Sequence, residues 1–139
     1  MKKPLIGLWL ALLLSNGAQA DHPAGITAAV LAKSSASWDG AALPAYPTGT
    51  PEISVLRIAI PEGAKLPMHK HPVINAGVLL SGELTVKTED GKTLLLKAGD
   101  PIVEVVNTWH YGENTGTGPA VIVVIYAGTP GTPITVLKP

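Results

Sequence analysis

PEGAKLPMHKHPVINAGVLLSG, residues 61–82, decides how the rest of the chain is read. At its centre Met68-His69-Lys70-His71 alternates two imidazoles with a lysine. Side chains alternate faces along an extended strand, so His69 and His71 share one face and Lys70 takes the other. Same-face neighbours stand about 6–7 Å apart, a gap that suits two imidazoles converging on one ion. Neutral imidazole is a ligand for Zn, Cu, Fe and Ni. Asn75 follows at the same parity, with Pro72 able to bend the path between. Gly77 continues that parity, and a glycine within a strand lets something approach the backbone closely. The gap it leaves is therefore expected on the side of the histidines.

A second stretch, GDPIVEVVNTWHYGEN at 99–114, supplies His110. Three histidines from two distant segments meet if those segments become adjacent strands of a closed sheet. Within this stretch Glu104 interrupts the apolar run Pro101–Val106. An unpaired carboxylate is costly to bury. Glu104 therefore reads either as facing solvent or as placed at a pocket, where it would be an extra ligand, a base or an acceptor for a ligand imidazole N–H. Trp109 and Tyr111 flank His110 and, in strand geometry, point to the opposite face.

This pair of stretches resembles the two signature motifs of the cupin superfamily. Gly63, His69, His71, Asn75 and Gly82 fall at the spacings of the first motif, and Gly99, His110 and Asn114 at those of the second. Two positions depart from the family pattern. Asn75 stands where the family has a glutamate, and Val105-Val106-Asn107 replaces a Pro-x-Gly turn. The resemblance implies an all-β, single-domain cupin-type barrel, a double-stranded β-helix or jelly roll. It implies a divalent transition metal, one of Fe, Mn, Ni, Cu or Zn, held by His69, His71, His110 and Asn75. An amide at position 75 leaves the full charge of the ion uncompensated, so an anionic ligand such as a carboxylate or enolate is expected.

Two functions follow from the resemblance. One is an enzyme similar to cupin dioxygenases, acting on a small anionic molecule, with Glu104 or Tyr111 moving a proton. The other is a non-catalytic module that binds or senses a metal or small ligand. A barrel with no metal at all is the third reading. This fold carries many unrelated activities, so the site must decide among them.

Length and composition set the outer limits. The chain has 139 residues, enough for one domain. Residues 1–20 read as a secretory signal: Lys2 and Lys3, the apolar run Leu5–Leu14, then Ala18-Gln19-Ala20. That run falls short of the roughly 20 residues needed to span a bilayer. Cleavage would start the mature chain at Asp21, followed by an N-terminal segment over 21–50 and the barrel over 51–139, and would place the protein in a periplasm or outside the cell. There is no cysteine, which excludes disulfides and thiol chemistry. The mature part keeps eight of the ten Lys and Arg and all ten Asp and Glu, a net charge of −2. This is no footprint for nucleic acid or an anionic membrane surface. A high apolar fraction in a small chain, with the resemblance, suggests a homodimer.

Along the chain, Ile26–Leu31 fits either a strand or a helical turn, and His22 lies near the cleavage point. Trp38 and Tyr46 sit in a Gly/Pro-rich loop, as a lid over the barrel or a wall of its pocket. Strands are expected at 52–60, with Arg57, the only arginine, on its outer face, and at 73–80, 83–88, 93–96, 101–106, 119–126 and 134–137. Ser81-Gly82 and Asp90-Gly91 both read as hairpin turns. Short strands with such frequent turn signals indicate a barrel or sandwich.

Overall fold

The computed structural model describes residues 25–139. The leader expected over 1–20, the start at Asp21 and His22 lie outside the described residues. Nine strands follow in order: β1 (Glu52–Ile60), β2 (His69–Lys70), β3 (Ile74–Ser81), β4 (Glu83–Thr88), β5 (Thr93–Lys97), β6 (Pro101–Val103), β7 (His110–Glu113), β8 (Ala120–Gly128) and β9 (Val136–Leu137). All pairings are antiparallel, in a four-stranded sheet ordered β1-β8-β3-β6 and a five-stranded sheet ordered β5-β4-β7-β2-β9. The all-β barrel expected from the sequence is the fold that forms, with no helix among the described residues.

Hydrophobic periodicity explains the layers. On β1 Leu56, Ile58 and Ile60 turn inward, while Val55, Arg57 and Ala59 stay exposed. β8 lies between β1 and β3, and its continuous apolar run is buried at most positions. The core joins Ile60, Leu79, Ile102, Ile122 and Val124 of one sheet to Leu84, Val86 and Leu96 of the other. Burying each such side chain stabilises the fold by roughly 1.5–3 kcal/mol. Asp90-Gly91 closes the β4–β5 hairpin, where Thr88 N donates to Lys92 O and Gly91 N to Thr88 O, both at 3.0 Å.

Several local expectations are corrected. Ser81-Gly82 is not a hairpin, because β3 and β4 belong to different sheets. It is the corner between them: Gly82 has φ +76°, and a Cβ there would stand 2.8 Å from both Ala120 Cα and Pro119 O. The turn chemistry was legible but not what it joined. Ile26–Leu31 forms neither strand nor helical turn, and Ile26, Val30 and Leu31 are exposed. Tyr46, 79% exposed, covers nothing. Gly77 opens no space toward a ligand, since a Cβ would lie 2.6 Å from Val123 O and 3.2 Å from Val124 Cγ2. The missing side chain lets β8 come close.

β6 ends at Val103 rather than Val106, and the chain then turns through Val105-Val106-Asn107. Asn107 adopts φ +54°, a left-handed conformation that Asn tolerates better than most residues. It thus does the work of the glycine in the family turn. Asn107 N donates to His71 O at 2.8 Å and Glu104 N to Asn75 O at 3.1 Å, so this turn is tied to the His-x-His segment.

Candidate metal centre

The β2–β7 register sets His69 directly opposite His110. Residues so paired bring their Cβ atoms to about 4.5–5.5 Å. His71, two residues on from His69, joins them from the same face. The ring centroids are 4.5 Å apart for His69–His110 and 4.9 Å for each of the other pairs. One ring nitrogen of each lies within 4.8 Å of the others. All three side chains are buried.

Each imidazole is fixed in tautomer as well as in place. His69 Nδ1 contacts Pro67 O at 2.7 Å, His71 Nδ1 contacts Ile134 O at 2.8 Å, and His110 Nδ1 contacts Thr108 O at 2.8 Å. A carbonyl oxygen only accepts, so Nδ1 carries a proton in each ring, and in the neutral form the Nε2 lone pair is left free. Ligand histidines are oriented by this same device. Burial pushes the pKa of His71 down to about 4, against its hydrogen bond to Ile134 and with help from His110 and His69. Burial lowers that of His69 as well, opposed by the bond to Pro67. Both rings are neutral at neutral pH, the form that binds a metal.

The residues around the cluster complete the site. Asn75, on β3, lines the same cavity, and its Nδ2 donates to Val73 O at 3.3 Å, which leaves the amide oxygen available. Glu104 proves to be a pocket residue: Oε2 stands 3.8 Å from His110 Nε2. Its Oε1 accepts from Trp38 Nε1 and from Val105 N, both at 2.9 Å. Trp38 is therefore not a wall of the cavity: it packs against the core and props Glu104. Its loop is pinned by Trp38 N donating to Val103 O (2.9 Å) and by Asp39, which accepts from Ser37 Oγ (2.6 Å) and pairs with Lys92 (3.2 Å).

Tyr111 is not brought to the site. Strand alternation turns it away from His110, outside the cavity lining, with Lys65 Nζ 3.9 Å from its ring centroid. The tyrosine at the site is Tyr126, which sequence reasoning passed over as the end of an apolar strand. The β3–β8 register pairs it with Asn75, and its ring centroid is 5.3 Å from that of His71. Burial, and then the negative charge of Glu104, push its pKa up to about 12, so it keeps its proton. Arg57 lies exposed on β1, away from the cavity. Asn114 has a structural role: its Nδ2 donates to Ile60 O (2.9 Å) and Gly118 O (2.8 Å).

The cavity measures about 260 Å³. The three imidazoles, the Asn75 amide and the Glu104 carboxylate face it, a donor set that suits a first-row divalent metal with positions left open.

A two-sheet antiparallel barrel with three imidazoles converging inside it defines the double-stranded β-helix class. The chain belongs to the cupin family, whose cupin-domain model matches residues 56–126. It is 33% identical over 90 residues to germin-like protein 8-14 of Oryza sativa subsp. japonica, a match over 60% of this chain and 42% of the rice protein. The chain thus spans less than half the length of that curated relative. Among solved structures it is similar to an oxalate oxidase in complex with the substrate analogue glycolate. That likeness has 26% identity and a TM-score of 0.52, over 61% of this chain and 45% of the other. An uncharacterized double-stranded β-helix protein from Klebsiella pneumoniae shares the fold at 23% identity and a TM-score of 0.54, over 62% and 70% of the two chains.

Proposed function

We propose that this protein is an exported metal-binding cupin that acts on a small anionic molecule. His69, His71 and His110 hold one divalent transition metal through Nε2, and Asn75 approaches it through its amide oxygen. The observation that carries this reading is the set of three Nδ1–carbonyl hydrogen bonds, which fix three buried imidazoles with free lone pairs turned to one cavity. The ion, one of Fe, Mn, Ni, Cu or Zn, would supply Lewis acidity and, if redox-active, electron transfer. Glu104, held by Trp38 and Val105, would accept a proton from the bound molecule. Tyr126 keeps its hydroxyl proton to donate a hydrogen bond to it.

The likeness to an oxalate oxidase supports an oxidoreductase reading, of which a dioxygenase-like reaction is the form proposed here. Export rests on the leader-like residues 1–20, and homodimerisation on the apolar outer face of the four-stranded sheet. No helix of the described residues is long and apolar enough to cross a membrane.

Protein reconstituted separately with Fe, Mn, Ni, Cu and Zn, and assayed by oxygen electrode against small carboxylic acids, diketones, thiols and phenolic acids, tests the reading. Oxygen uptake with a redox-active metal and not with Zn is expected. Tight ligand binding without turnover under any metal would instead favour a binding or sensing module.

A further inference from the structure

The walls of the cavity do not match a small dianion. Leu56, Ile58 and Val124 of one sheet and Leu84 and Val86 of the other line most of it, and its polar groups gather at the three-His end. No lysine or arginine of the described residues lines it. The nearby cations are spent outside, with Lys65 over the Tyr111 ring and Lys70 over the Trp109 ring. Resting on the metal-centre reading above, we propose that the site takes a monoanion with an apolar body: a carboxylate, enolate or phenolate head on the ion and a hydrocarbon body between the sheets.

Lining and volume both lead there. The second negative charge of a dianion such as oxalate would lie in an apolar cavity that no lysine or arginine of the described residues lines, a costly arrangement. Even with an ion at the three-His end, a cavity of about 260 Å³ is larger than a two-carbon acid needs and leaves room for a hydrocarbon chain.

Calorimetric titration of the Zn-loaded protein, which is redox-silent, with straight-chain monocarboxylates from acetate to octanoate and with oxalate tests the proposal. Affinity is expected to rise about fourfold per methylene until the cavity fills, with hexanoate at least about tenfold tighter than oxalate. Oxalate binding tighter than hexanoate, or an affinity indifferent to chain length, overturns it. Parallel elemental analysis separates the two levels. Zinc uptake with a flat series overturns the ligand class alone, whereas no zinc uptake overturns the metal centre and the anchoring of the head with it.

Discussion

At the scale of the residue, the site is a matter of which atoms are already engaged. Three carbonyls take the Nδ1 protons of His69, His71 and His110, and the indole N–H of Trp38 takes one oxygen of Glu104. Trp38→Phe keeps the ring and removes that donor. Because hydrogen bonds to charged groups contribute about 1.5–3 kcal/mol, urea denaturation should show a loss of that order. An unchanged midpoint would mean that Glu104 does not need the indole. The buried imidazoles also tie stability to pH. The folded pKa of His71 is lowered to about 4, whereas an unfolded histidine titrates near 6.5. The unfolded state therefore binds more protons between those values, and stability falls as pH drops from about 6.5 to about 4. For metal-free protein His71 alone contributes a loss on the order of 3 kcal/mol, and His69 adds in the same direction. The slope should shrink in His71→Gln; equal slopes in the two proteins would assign the pH dependence to other groups.

At the scale of the element, the barrel depends on corners as much as on strands. Gly82 combines a positive φ with a backbone that abuts Pro119 and Ala120. Gly82→Ala should cost more than about 1 kcal/mol, read as a lowered melting temperature, because both strain and collision oppose it. A melting temperature within a degree of the parent would show that the corner can yield. Gly82 also marks where the sequence could and could not be read. Alternation in Leu56-Arg57-Ile58 and Leu84-Thr85-Val86 made β1 and β4 legible with their bounds, and Asp90-Gly91 made the hairpin legible. The partner of a strand is a long-range fact, so Ser81-Gly82 looked like a hairpin and turned out to join two sheets. Tyr126 was missed for the same reason, since only the β3–β8 register reveals that it stands beside Asn75. The three histidines were legible because their spacing is local and their meeting needs only adjacent strands. Glu104 stood out as a lone acid in an apolar run, and Trp38 as a large ring in a loop. Neither segment names the other, so their bond became visible only once both were placed.

At the scale of the molecule, two features matter: an apolar outer face and the candidate metal centre. The outer face of the four-stranded sheet aligns Val55, Ile125 and Ala76 across three strands, with Ile53 alongside, and Val55 is 64% exposed. Apolar surface of this kind is characteristic of an interface between chains. We propose that a second copy covers it, as the resemblance to the family suggested. Light scattering should give twice the chain mass, and Val55→Lys should return a monomer that keeps its ligand binding. A wild-type monomer at tens of micromolar would rule the dimer out.

The other feature is the candidate metal centre, where any metal-dependent function would lie. The most direct measurement is the metal content, by elemental analysis, of wild-type protein and of His110→Ala purified side by side without added metal. Close to one transition-metal ion per wild-type chain and almost none in the variant is the expected result. Wild-type protein that takes up no metal even when it is offered, or His110→Ala that retains a full equivalent, would contradict it.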